Sequence, residues 1–201
     1  MIWYVLRHAE KEPGDFYNPR LKLQDDPLSP TGLQSARRLV QRLGDKPISA
    51  IYVSAYLRTL QTAAPLAEHL HLTLIVDVRL NEIDTGALGN LTEEEFKQAY
   101  PEIWQIYHSR SADFRFPGGE TGAEVQDRLK SFFEEKLHQH KDEDILLVAH
   151  DGLIRLMLCY LLRLPVYRRA DFHLDFCGLT ELQYQEEYKS WQILCFNQTS
   201  I

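Results

Sequence analysis

Cysteine is scarce in this chain of 201 residues. Cys159, Cys177 and Cys195 are its three, and no two of them form a CxxC pair. An odd, widely spaced set argues against a disulfide scaffold or a zinc site and fits a reducing compartment, so a cytoplasmic setting is expected. Positive charge is also short: 22 Lys and Arg stand against 29 Asp and Glu, a net charge of −7. So acidic a chain lacks the broad basic footprint that holds nucleic acid. A local cluster of cations in a cleft can still bind a small anion, because a cleft focuses field whatever the total. Long apolar runs are missing too. LIRLMLCYLLRL at 153–164 is interrupted by Arg155 and falls short of the roughly 20 residues that cross a bilayer, so no membrane partner is expected. Met1 runs straight into IWYVL, with no basic leader or small-residue cleavage site; a strand is expected there, not a signal peptide.

What the chain has is alternation. Apolar, branched stretches at 2–6, 48–55, 72–78 and 144–150 predict strands. Between them lie helical patterns at about 30–43, 56–70, 92–108 with a break near Pro101, 120–140 and 152–163. Ser29 suits the N-cap of the first helix, Pro30 its first turn and Gly44 its stop, while Ser54 suits the cap of the second. Residues 178–185 and 190–197, joined by a short polar turn, predict a terminal hairpin. No repeat or linker interrupts the pattern. The expectation is an α/β fold: a single three-layer α/β/α domain over residues 1–201, with a mostly parallel, mixed sheet.

In open α/β sheets functional groups gather at the carboxyl ends of strands. Arg7 and His8 end the first strand, Ser54 and Arg58 follow the second, Glu82 follows the third, and His150 ends the fourth. Singly each is bland: a His at a strand end is most often a satisfied structural residue, and Arg58 on a helix most often solvated. Jointly they bring two arginines, two histidines and a carboxylate to one sheet edge. Guanidiniums that keep their charge are costly to bury without an anion, and their planar forks suit phosphoryl oxygens. Neutral His8 can attack phosphorus while the arginines stabilise charge on the equatorial oxygens. Glu82, beside an anion, can protonate the leaving alkoxide and then activate the water that hydrolyses phosphohistidine. The arginines supply the positive charge, so no metal and no cofactor is expected. The remaining histidines lack this pattern; His69, His71, His138 and His140 read as solvated helix ends.

The segments LRHAE (6–10), LSPTGLQSA (28–36), VSAYLRTLQTA (53–63), LNEIDTGALGNLT (80–92), FPGGET (116–121) and VAHDGLIR (148–155) together resemble the histidine phosphatase superfamily, the phosphoglycerate mutase-like family. The resemblance spans nearly the whole chain. It implies a phosphoglycerate mutase-like fold and a histidine acid-type phosphatase, a phosphoric monoester hydrolase. It also implies Arg7, His8, Arg58 and His150 as the phosphate pocket, His8 as the phosphorylated nucleophile and Glu82 as the proton donor. Gly152 follows as a backbone contact. Asn18, Tyr17 and Arg20 are expected to contact substrate from the loop after the first strand. Three departures stand out: RHAE where RHGE is usual; HDG where HGG is common, which sets Asp151 near the site; and the Asn that usually follows the first motif is displaced, with Asn18 its candidate replacement.

The stretch after Glu82 is similar to the phosphatase branch, and mutases of the family carry a longer insertion there. Hydrolysis of a small-molecule phosphate ester is therefore expected. Two alternatives stand beside it, a phosphoglycerate mutase-type phosphotransferase and a non-catalytic phospho-ligand-binding module. Residues 12–26 and 96–116 are expected to cover the pocket, with most of their aromatics packing rather than recognising. Acidic Asp15, Asp25 and Asp26 argue mildly against a highly charged bisphosphate. A homodimer is left open.

Overall fold

The computed structural model describes residues 1–199, the side chain of Asn90 excepted. Residues 200 and 201, the end of the expected domain, lie outside the described residues.

In chain order the strands are β1 (Ile2–Arg7), β2 (Tyr17–Asn18), β3 (Leu23–Gln24), β4 (Ile48–Val53), β5 (Leu74–Val76), β6 (Asp144–Ala149), β7 (Leu179–Gln185) and β8 (Ser190–Gln198). The helices are α1 (Pro30–Leu43), α2 (Leu57–Leu70), α3 (Glu93–Ala99), α4 (Pro101–Ser109), α5 (Gly122–Gln139) and α6 (Asp151–Leu161). Six strands form one mixed sheet in the order β5-β4-β6-β1-β7-β8. β5, β4, β6 and β1 run parallel, and the terminal hairpin joins antiparallel beside β1. The expected mixed sheet, with its antiparallel edge, is therefore present. β2 and β3 make a separate two-residue ribbon inside what the sequence presents as a loop.

Strand alternation divides the core into two layers. Trp3 and Val5 face one side, packed with Phe132 and Phe133 of α5 and Leu153, Leu156 and Met157 of α6. Tyr4 and Leu6 face the other, packed with Leu39 and Leu43 of α1 and Leu66 of α2. Because β1 and β6 are covered on both faces, their central residues are buried continuously and not alternately.

Helix boundaries follow local chemistry. Ser29 accepts a hydrogen bond from Gly32 N, Pro30 opens α1 and Gly44 ends it. Gly32 is needed for close approach: a Cβ there would meet the Glu10 carbonyl oxygen at 2.0 Å. Pro101 splits the expected 92–108 helix at Tyr100, since proline disfavours helical geometry in the residue before it. Three expectations shift. Arg7 lies within β1 rather than after it. Helix α2 begins at Leu57 after Tyr56, with no side-chain cap, so Ser54 is not its N-cap. The expected strand at 72–78 shortens to Leu74–Val76, a partly exposed edge paired on one side only. His140 is a further correction. It is buried, not solvated, because its Nε2 lies 2.6 Å from the hydroxyl of buried Tyr52 and its Nδ1 2.8 Å from Glu143.

Candidate active site

The carboxyl ends of β1, β4 and β6 lie side by side, and each delivers part of the site. His8 follows β1, its amide continuing the ladder to the Ala149 carbonyl at 2.9 Å. Its Nδ1 lies 2.7 Å from the Ala9 carbonyl oxygen. A carbonyl only accepts, so Nδ1 carries the proton and the Nε2 lone pair is free. Burial, then the charges of Arg58 and Arg7, lowers the His8 pKa to about 3. The ring is therefore neutral at ordinary pH, the form in which an imidazole can act as a nucleophile.

His150 sits beside it, with ring centroids 5.2 Å apart. As the N-cap residue of α6 it is fully buried, and its Nε2 lies 2.7 Å from Ser54 Oγ. Burial, then Arg58 and His8, pushes its pKa well below the ordinary value. Its Nδ1 is buried without a protein partner, as are Arg7 Nε and Arg58 Nε. Three such nitrogens on three site residues are a set of donor positions suited to an oxyanion.

The arginines are fixed from behind. Arg7 donates to the Leu174 carbonyl and stacks on Phe176, its guanidinium carbon 4.2 Å from the ring centre. Arg58 is buried, 4.1 Å over the Tyr56 ring, with one nitrogen 3.2 Å from Asp25 Oδ1. Asp25 is itself buried and accepts from Leu57 N at 2.6 Å and Asn18 Nδ2 at 2.7 Å. This carboxylate is buried and committed to Arg58, Leu57 and Asn18, which revises the sequence argument drawn from its charge. Asp151 does bring a carboxylate close: it lies 4.0 Å from Arg7 and is clamped by Arg155 at 2.8 Å.

Glu82 approaches from the loop after β5. Its Oε1 accepts from Leu153 N at 2.8 Å and Ile83 N at 2.9 Å, and its Oε2 from Gly152 N at 3.1 Å. Burial raises its pKa, while the three amides and Arg58 pull the other way. A carboxyl group whose pKa is raised by burial can give and take a proton.

Arg7, His8, Arg58, Glu82 and His150 thus occupy one cluster. The amide of Gly152 is engaged by Glu82. Asn18 spends its side chain on Asp25, on the Ala55 carbonyl and on accepting from Arg20 N, so it organises the β2–β3 ribbon beside Arg58. Tyr17 and Arg20 are exposed on that ribbon, and their side chains make no hydrogen bond to the cluster. Phe96, Trp104, Tyr107, Phe114 and Phe116 line a separate cavity of about 540 Å³ whose walls include none of the five clustered residues. Sequence reasoning missed the pairing of Asp25, one acid in the run QDD, with Arg58, and missed Phe176, which no motif marks. Among the described residues no group of three or more His, Cys, Asp or Glu is placed to hold a metal ion, and no helix is long and apolar enough to cross a membrane.

The sequence model of the histidine phosphatase superfamily (branch 1) matches residues 3–199. The chain belongs to this superfamily. Among its relatives is phosphoserine phosphatase 1 of Hydrogenobacter thermophilus, 32% identical over 185 residues that cover 90% of this chain and 86% of the relative. A protein of Yersinia pestis named "Probable phosphoglycerate mutase" is 31% identical over 192 residues, covering 91% and 85%. A mycobacterial glucosyl-3-phosphoglycerate phosphatase solved with VO3 superposes with a TM-score of 0.80 at 26% identity, covering 98% of each chain. The α-ribazole phosphatase of Shigella flexneri shares the fold with a TM-score of 0.83 at 20% identity, covering 100% of this chain and 98% of that one. This superfamily member therefore has phosphatase-named and mutase-named relatives over nearly its whole length.

Proposed function

We propose that the chain is a phosphomonoester hydrolase acting as a single domain through a phosphohistidine on His8. The observation that carries this reading is the pairing of neutral His8, its Nε2 free, with His150, while Arg7, Arg58 and His150 each carry a buried nitrogen without a partner. Substrate phosphate is held by Arg7, Arg58 and His150. His8 Nε2 attacks phosphorus, the bond to the alcohol oxygen breaks, and Glu82 gives that oxygen its proton. Ionised Glu82 then takes a proton from water, which attacks phosphohistidine and releases inorganic phosphate with His8 restored. The guanidiniums stabilise charge in both transition states. The relatives named as phosphatases support hydrolysis, and the short region after Glu82 leaves less cover to keep water from the intermediate.

The test is trapping. Mixing enzyme with a labelled phosphomonoester and quenching in base should leave acid-labile phosphate on the chain, and His8→Ala should abolish both label and turnover while keeping the fold. Near-normal turnover by His8→Ala would remove the nucleophile role. The Yersinia pestis relative's name favours a second reading, phosphotransfer between positions of one phosphoglycerate. Product analysis separates them: inorganic phosphate supports hydrolysis, an isomerised phosphoglycerate the mutase. A panel including phosphoserine and glucosyl-3-phosphoglycerate, the compounds in the relatives' names, ranks substrates by kcat/KM.

A further inference from the structure

We propose that Gly152 is a positioning residue for Glu82: its bare Cα and the amides of Gly152 and Leu153 form the seat that holds the acid's carboxyl group. The inference rests on the reading of Glu82 as proton donor.

Space makes the case. A Cβ built on Gly152 would stand 2.8 Å from Glu82 Oε1, 3.4 Å from its carboxyl carbon and 3.0 Å from Ile83 Cγ2. The approach to Oε1 is one that real Cβ atoms essentially never show, and that to Ile83 Cγ2 is tighter than most. The backbone gives no other reason for glycine here. Gly86 and Gly118 have positive φ, and Gly152 does not. It lies in the first turn of α6, where alanine is the better helix former. What alanine would displace is the Glu82 side chain, the movable partner, and with it the bonds from Gly152 N at 3.1 Å and Leu153 N at 2.8 Å.

The chemical consequence is specific. As the P–O bond breaks, its electron pair stays on the leaving oxygen, and the Glu82 carboxyl proton moves to that oxygen. A displaced carboxyl leaves an alkoxide to depart unprotonated. An alkyl alcohol suffers greatly from this, whereas 4-nitrophenolate, a stable anion, hardly suffers at all. A general acid contributes roughly 10²–10⁴-fold, so partial misplacement is expected to cost about tenfold or more with an alkyl ester.

The experiment compares Gly152→Ala with wild type on an alkyl phosphate and on 4-nitrophenyl phosphate, reading kcat/KM so that only steps through alcohol release count. The expected result is at least about a tenfold loss with the alkyl ester and little change with the aryl ester. Retained aryl turnover also reports a folded site. The variant is then built into Glu82→Gln, where it should cost nothing further. Equal loss with both esters, no loss with either, or the same cost in the Glu82→Gln background overturns the proposal. Full alkyl turnover by Glu82→Gln alone would instead remove the donor role on which it rests.

Discussion

Ser54 Oγ lies 2.7 Å from His150 Nε2, joining the end of β4 to the first residue past β6. The same oxygen lies 2.9 Å from Thr59 Oγ1 and accepts from Tyr56 N at 3.2 Å. One hydroxyl thus ties the imidazole to the start of α2, which also carries Arg58. The bond fixes the ring so that Nδ1, buried and unpartnered, keeps its direction.

Ser54→Ala should therefore lower kcat/KM about tenfold, the equivalent of roughly 1–1.5 kcal/mol for one buried hydrogen bond. Weaker inhibition by inorganic phosphate should accompany the loss, because the proposed mechanism gives Nδ1 a part in binding. Steady-state kinetics with and without phosphate check both; an unchanged inhibition constant would place the role of Ser54 elsewhere.

The Arg58–Asp25 pair is the second target. Both side chains are buried, and Asp25 also accepts from Leu57 N and Asn18 Nδ2. Removing one partner of a buried pair leaves the other charge uncompensated, which costs about 3–5 kcal/mol. Asp25→Ala should lose stability on that scale in urea titration. Bound phosphate supplies Arg58 with a new counterion, so added phosphate should restore more stability to this variant than to wild type. Equal restoration in the two proteins would show that Arg58 does not meet the anion.

The sheet, the first helix with its Ser29 cap, the break at Pro101 and the terminal hairpin were all legible, because each depends on local pattern or stereochemistry. The five clustered residues were legible for a topological reason: their four segments follow the parallel strands β1, β4, β5 and β6, which end on the same edge. Asp25 was not. Nothing local separates it from Asp26, and only the fold of the β2–β3 ribbon buries it against Arg58. His140 misled for a similar reason, since its H-x-H spacing says nothing of Tyr52, far away in sequence, whose hydroxyl needs a partner. Gly152 was placed at the site, but only the structure shows its amide turned to Glu82.

Histidine burial predicts acid instability. His8 has its pKa lowered to about 3 in the fold, against about 6.5 in an unfolded chain. Between those values the unfolded chain binds the extra proton, so stability rises with pH through this window and falls as pH drops from 6.5 toward 3. At 1.36 kcal/mol per unit the full window amounts to roughly 5 kcal/mol. His150 is shifted in the same direction and adds to the slope. His8→Asn should flatten the curve of unfolding free energy against pH between 3 and 6.5. An unaltered slope would mean that His8 is protonated in the folded protein.

The pH dependence of activity follows from the same groups with a different sign for each limb. His8 must be neutral to attack, so the acid limb of kcat/KM should lie near pH 3 and not inside the range 5–8. Glu82 must be protonated to give its proton, and burial raises its pKa above the ordinary 4.5. Activity should therefore decline on the alkaline side as Glu82 ionises. The substrate's second phosphate ionisation also changes with pH, so the contrast between wild type and Glu82→Gln isolates the side chain. With an alkyl ester, Glu82→Gln should be slow at every pH and should lack the alkaline limb that wild type shows beyond the substrate's own titration. An identical alkaline limb in both proteins would mean that Glu82 is not the group whose proton the reaction uses.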